Sequence, residues 1–252
     1  WTNIVASFLM SMAFMGMITY MPLFLQLGLG APATRSGVAI LPLMFGLILT
    51  STLAGRLVTR TGRYKPFMIG GSVLILIGVA LLALMGPSVG VGQVSWRLFI
   101  IGLGLGPSQS LFSMVAQNSA APGQIGVVTS ASQFFRQIGS TVGVAVFGAL
   151  LTARMAGEIA RHGQAGAHAG LGQLQAMALG AKGVGAGAVQ VDPVVRAAFS
   201  AAMNGVFLAA LLIVLLGLLA VIAIPNVPLR KTHLHVEPVA EPSTAASSRR
   251  PR

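Results

Sequence analysis

The run GVVTSASQFFRQIGSTVGVAVFGALLTARM, Gly126 to Met155, decides the fold. A helix needs about 20 apolar residues to cross a hydrocarbon layer about 30 Å thick, and this run exceeds that. Yet it carries Arg136, with Gln133 and Gln137 beside it. A helix that enters the bilayer near Gly126 puts Arg136 about 15 Å in, at 1.5 Å per residue. A cation at that depth costs at least ~2.5–3.5 kcal/mol. Each Val, Ile, Leu or Phe returns only ~0.3–0.6 kcal/mol. The segment inserts, but its guanidinium must face protein or water.

Helical spacing predicts which face that is. Thr129, Ser132, Gln133, Arg136, Ser140 and Gly143 fall on one stripe, at steps of three, four or seven. Phe134, Phe135, Ile138, Val142 and Val146 lie mainly elsewhere. In a membrane the small, polar side meets neighbouring helices. Two readings of Arg136 stand side by side. In one, backbone carbonyls and glutamines hold it for packing alone. In the other, it lines a solute cavity or pairs with a carboxylate.

Composition agrees with membrane insertion. Of 252 residues, 55% are hydrophobic and 8% charged, against about 25% charged in a soluble domain. The formal charge of +12 does not point to nucleic acid. The basic residues sit at the ends of apolar runs and in a tail, the pattern of topology signals and anionic-lipid contacts. With no cysteine, disulfides, thiolate chemistry and Cys metal sites are excluded, and no cofactor is called for. Trp1 opens almost inside an apolar run, without a charged segment ahead of it, so the chain reads as lacking an N-terminal part.

The expected spans cover about 4–27, 37–57, 67–85, 96–116, 126–153 and 195–224. Pro22 is expected to kink the first near its far end. A turn, Gly28 to Ser36, follows. Arg56, Arg60, Arg63 and Lys65 form a short basic loop, after which Pro66 suits a first helical turn. Trp96 and Arg97 resemble an interface anchor. Gly102-x-x-x-Gly106 permits close helix contact. Residues 154–193 form a long Gly-, Ala- and Gln-rich loop, expected to be mobile, with a short helix near Leu171 to Leu179. Residues 226–252 make a disordered basic tail. Six spans put both ends on one side, with the basic loop after the second span, and the positive-inside rule makes that side cytoplasmic.

The basic loop runs Gly55-Arg-Leu-Val-Thr-Arg60-Thr-Gly62-Arg63-Tyr64-Lys65. Its cations oppose the negative end of the preceding helix dipole, and Gly62 allows a tight reversal. Positive-inside punctuation alone would account for the charges. The residue order resembles the signature loop of the major facilitator superfamily, G-x-L-x-D-R-x-G-R-[RK]. Gly55, Leu57, Arg60, Gly62 and Arg63 match. Thr59 stands where the family has Asp, which removes the carboxylate of any charge-pair latch there. Pro22-Leu-Phe-Leu-Gln26, Ser36-Gly37, Leu41-Pro42, Gly102-Leu-Gly-Leu-Gly106 and Phe134-Phe135-Arg136-Gln137-Ile138-Gly139 are similar to stretches of the 14-span drug:proton antiporters of the EmrB/QacA type. The resemblance implies one half of a major facilitator fold, an all-α bundle of six transmembrane helices. It implies the C-terminal half of a multidrug exporter working by proton antiport and alternating access, in a bacterial inner membrane. The N-terminal half, absent from this chain, would be its partner, and Gly55, Arg60, Gly62 and Arg63 would act in a conformational-switch loop.

Four carboxylates are present, Glu158, Asp192, Glu237 and Glu241, and none lies inside an expected span. His162, His168, His233 and His235 also lie outside. Proton coupling within a membrane needs such groups, so the carrier is expected in the missing half. His233-x-His235 reads as a solvated tail rather than a metal site. The cavity candidates are Arg136, Gln133, Gln137, Gln109, Gln26, Tyr20 and Asn204, with Met12, Phe14 and Met15 for adaptable apolar contact. The lipid bilayer, small amphipathic substrates and protons are the expected partners. A non-transporting scaffold or a degenerate transporter remnant is the alternative. A membrane enzyme is disfavoured, because no catalytic pairing appears at membrane depth.

Overall fold

The computed structural model describes residues 2–85, 89–118, 120–162 and 193–224. Six long helices fill them. α1 spans Thr2–Leu23 and continues as a π-helical turn, Phe24–Gly28. α2 is Ala33–Thr61, α3 Lys65–Ala83, α4 Val91–Asn118, α5 Ile125–His162 and α6 Pro193–Ile222. A 3-10 turn, Pro122–Gln124, leads into α5. All six helices are long and apolar enough to cross a membrane, and the described residues contain no strand.

Several expected boundaries need correction. Arg35 lies in the first turn of α2, and Arg56 and Arg60 lie on its last turns, not in loops. Trp96 and Arg97 sit well inside α4. Glu158 rides on α5, which runs nine residues past the expected end at Ala153. The reason is general. Apolar runs mark where lipid ends, whereas backbone hydrogen bonding continues into water at little cost. The expected helix near residues 171–179 and the tail lie outside the described residues.

Pro22 sits within α1 without ending it. The helix widens just beyond, where Leu29 N–H bonds Phe24 O at 3.2 Å and Ala31 N–H bonds Leu25 O at 3.0 Å. The proline cannot donate a bond, and the looser π-turn follows it. At the other end of the bundle, Gly62 closes α2 in the left-handed region, φ 68°, with its N–H on Val58 O at 2.8 Å. That conformation suits a glycine C-cap, as the basic loop predicts, and Pro66 occupies the first turn of α3.

Packing crosses the two halves of the chain. α2 lies chiefly against α4, and α1 against α5 and α6, while α3 packs on α4 and α6. Helices adjacent in sequence within the first trio hardly touch. Glycines set the close seams. A Cβ on Gly106 would sit 2.6 Å from Leu47 O, and one on Gly102 would sit 2.9 Å from the carbonyl carbon of Leu43. On the α1–α5 seam, a Cβ on Gly139 would sit 2.5 Å from Phe8 O and one on Gly143 would sit 2.8 Å from the carbonyl carbon of Met12. Gly102-x-x-x-Gly106 thus makes the close contact expected of it, and Gly139-x-x-x-Gly143 makes a second that the sequence reading did not name as a motif.

The centre is filled by Met10, Met17, Ile75, Ile101, Leu105 and Val214, from α1, α3, α4 and α6. α2 and α5 flank this centre and leave broad apolar faces uncovered. Val38, Leu41, Phe45, Ile48 and Leu53 are exposed on α2, and Val127, Phe134, Phe135, Val142 and Val146 on α5.

Candidate functional site

Of the stripe expected to face protein on α5, Ser132 and Gly143 are buried and Thr129, Arg136 and Ser140 half-buried, whereas Gln133 is exposed. Gly139 and Phe147, outside that stripe, are buried as well, while Phe134 is 61% exposed. Arg136 lies at the edge of that stripe, half-buried. It is eleven residues into α5, about 16 Å along the axis.

Two glutamines hold its guanidinium. Nη1 donates to Gln109 Oε1 at 3.0 Å, which joins α5 to α4. Nη2 donates to Gln133 Oε1, one turn back on the same helix. Its carbonyl accepts from Ser140 Oγ at 3.1 Å. Among the described residues no carboxylate pairs with Arg136. The glutamine-held geometry is present, therefore, and the rest of the fork has no partner among the described residues. Nearby on the α2–α4 seam, Ser51 Oγ and Ser110 Oγ share a hydrogen bond of 2.7 Å.

The other candidates are dispersed. Gln137 is exposed on the outer side of α5. Tyr20 hydroxyl donates to Val144 O at 2.9 Å and so ties α1 to α5 towards the far end of the bundle. Gln26 lies in the π-turn, half-buried. Asn204 lines a separate cavity of about 430 Å³ between the ends of α1 and α3 and the start of α6, with Phe24, Met85, Arg196 and Ser200. The structure thus brings together Arg136, Gln109 and Gln133, and leaves Tyr20, Gln26, Gln137 and Asn204 apart from them.

In the α2–α3 junction, Arg60 and Arg63 are exposed and Gly62 makes the reversal. A Cβ on Gly55 would meet nothing, so packing does not demand a glycine there. Trp96 is 61% exposed, as an anchor would be, but Arg97 Nη1 is enclosed without a partner among the described residues. No group of His, Cys, Asp or Glu among the described residues is placed to hold a metal.

Comparison with known proteins gives this architecture its relatives. Residues 1–144 match the model of the Major Facilitator Superfamily. The chain belongs to that superfamily. An uncharacterized MFS-type transporter of Mycobacterium tuberculosis is 33% identical over 238 residues, which is 91% of this chain and 33% of the relative. The multidrug transporter protein MdtP of Bacillus subtilis is 37% identical over 147 residues, 58% of this chain and 27% of MdtP. A tetracycline resistance determinant of Streptomyces rimosus is 34% identical over 158 residues, 61% of this chain and 44% of that protein. The chain therefore spans less than half the length of each.

A solved structure of a bacterial homologue of the human lysosomal transporter Spinster, inward-facing and occupied, superposes with a TM-score of 0.65 at 15% identity. It covers 88% of this chain and 48% of that one, and the likeness speaks for fold alone. Membership of this superfamily, with six helices long and apolar enough to cross a membrane, makes the chain part of a multi-pass membrane protein of a transporter family.

Sequence reasoning missed Arg196. Its signal was available, since Arg196, Ser200 and Asn204 recur every four residues on a helix that is otherwise apolar. It also could not say that Gln109, on another helix, would be the residue that meets Arg136.

Proposed function

We propose that the chain forms the C-terminal six-helix half of a drug:proton antiporter of the 14-span type. The whole protein exports amphipathic compounds across a bacterial inner membrane by alternating access. Both ends of this chain are cytoplasmic, and the α2–α3 junction with Gly55, Arg60, Gly62 and Arg63 is the switch loop. The missing half covers the exposed apolar faces of α2 and α5, and the two bundles rock about a cavity between them.

Arg136 carries the reading. A guanidinium near mid-membrane is expensive, and two glutamines position it without neutralising it. Such a cation serves a function that needs a fixed positive charge, namely orienting a solute or balancing a carboxylate of the other half. Gln109 and Gln133 set its direction. The named relatives in drug efflux support the substrate class. The chain's four carboxylates lie outside its apolar runs, which supports a proton carrier in the other half.

The test uses the full-length protein in cells lacking other pumps. Arg136→Ala should abolish ethidium efflux at unchanged membrane abundance, and a protonophore should abolish wild-type efflux. Unchanged efflux in Arg136→Ala removes this residue from the mechanism. Efflux that persists with the proton gradient collapsed refutes antiport.

A further inference from the structure

We propose that the cavity where α1, α3 and α6 meet binds an anionic amphiphile, with the acidic group at Arg196 and the hydrocarbon along the outer face of α6. The site lies at the end of the bundle opposite the Arg136 cluster, and it does not depend on which compound is exported.

The polar wall is one helical face. Arg196, Ser200 and Asn204 stand four residues apart on α6 and line the cavity together. Arg196 Nε donates to Gly28 O at 2.7 Å, at the end of the π-turn. The terminal nitrogens lie against Gly30, where a Cβ would sit 3.4 Å from each. Gly30 has φ 67°, a conformation that glycine adopts without strain. The guanidinium is thus fixed at one edge by a carbonyl, and its two-pronged edge stays available for an anion. Ser200 Oγ lends its proton to Arg196 O at 2.9 Å, and Asn204, itself exposed, lines the cavity beyond it. Among the described residues no acidic side chain lines the cavity.

The rest of the lining is apolar, with Phe24 and Phe207 edge to face at 5.5 Å beside Leu82 and Met85. The cavity's 430 Å³ suits a small molecule or a headgroup. Arg196 lies three residues into α6, about 5 Å from its end, which is headgroup depth for a spanning helix. From there the exposed face of α6 continues from Asn204 through Leu208, Leu212, Leu215 and Leu219, which are 47%, 62%, 41% and 55% exposed. These four lie within about 80° of Asn204 around the helix axis, so a hydrocarbon chain has a track that starts beside the polar wall and runs into the bilayer.

The test is retention of dioleoyl phosphatidylglycerol by the full-length protein in neutral maltoside detergent, read by native mass spectrometry. Dioleoyl phosphatidylcholine is the zwitterionic control and laurate the dissolved anionic compound. The expected preference for phosphatidylglycerol over phosphatidylcholine falls roughly five-fold in Arg196→Gln, the effect of one basic residue at an anionic surface. Ala201→Phe fills the cavity while keeping the charge, and lowers retention as well. Laurate retained in place of phosphatidylglycerol, and lost in Arg196→Gln, assigns the site to a dissolved amphiphile rather than a bilayer lipid and upholds the anion chemistry. Equal retention by wild type and Ala201→Phe, or by wild type and a folded Arg196→Gln, overturns the proposal. So does anion retention that appears only in Asp192→Asn, because the chain's own carboxylate would then be the occupant.

Discussion

Replacing Gly102 with alanine tests the close seam between α2 and α4. The new Cβ would lie 2.9 Å from the carbonyl carbon of Leu43 and 3.0 Å from its Cα. Carbon atoms in contact prefer ~3.5–4.0 Å, and backbone cannot rotate away as a side chain can. α2 would have to withdraw from α4 by about 0.5–1 Å. Overpacking of this kind costs ~1–3 kcal/mol. An alanine also gains ~0.5–1 kcal/mol over glycine in a helix interior, so a bare comparison with wild type understates the clash. Gly55→Ala supplies the reference, because its Cβ meets nothing within 4 Å and it collects the same helical gain. The difference between the two variants isolates the overpacking term. At about 2–4 °C per kcal/mol for a chain of this size, Gly102→Ala should melt roughly 2–12 °C below Gly55→Ala. Thermal unfolding in mild detergent, followed by fluorescence-detected size exclusion, measures this. Melting points within a degree of each other would refute the close approach of α2 and α4. Measuring transport in Gly55→Ala then separates packing from switching. A variant that melts normally but transports poorly assigns Gly55 to the moving loop.

Three further outcomes follow from named bonds. Tyr20→Phe removes the hydroxyl that reaches Val144 O and should cost ~0.5–1.5 kcal/mol, read as a lower melting point with the bundle intact. Gly62→Ala forces a side chain into φ 68°, at ~1–2 kcal/mol, whereas Gly62→Asn should cost clearly less, since asparagine visits that region. Equal loss in both variants would contradict the C-cap. Arg136→Lys keeps the charge but not the fork to Gln109 and Gln133. It should transport poorly, and adding Gln109→Ala should then change little, whereas additive losses in the double variant would show that the two residues act separately.

The spans were legible because lipid imposes a strong and simple condition on sequence. Apolar length located all six helices, and the stripe on α5 correctly oriented its small residues inward. Gly62 and Pro66 were legible because each has a specific backbone preference that a turn requires. Helix ends were less legible, since Arg56, Arg60 and Glu158 extend their helices where water solvates the side chains. The site was legible only in part. Arg136 stands out by its cost, and Gln133 by lying one turn away. Gln109 as its partner depends on how α4 meets α5, which no local pattern encodes. Tyr20 and Asn204 were grouped with Arg136 because all are polar groups in apolar runs, yet helix direction places them towards the other end of the bundle. Arg196 escaped notice because its position at the start of a span looks like ordinary interface charge, and only the carbonyl of Gly28 across the gap distinguishes it.

The crossed packing has a consequence for biosynthesis. Helices α1, α2 and α3 leave the ribosome before α4, α5 and α6, yet each finds its main neighbours among those three later helices. Until those arrive, the early spans must wait in the bilayer as separate rods, with the carbonyls of Phe8, Met12, Leu43 and Leu47 lacking the glycines that later nestle against them. Synthesis stalled after α3 would therefore leave these three spans without their main neighbours, and this bundle would begin to assemble only when α4 slides in between α2 and α3.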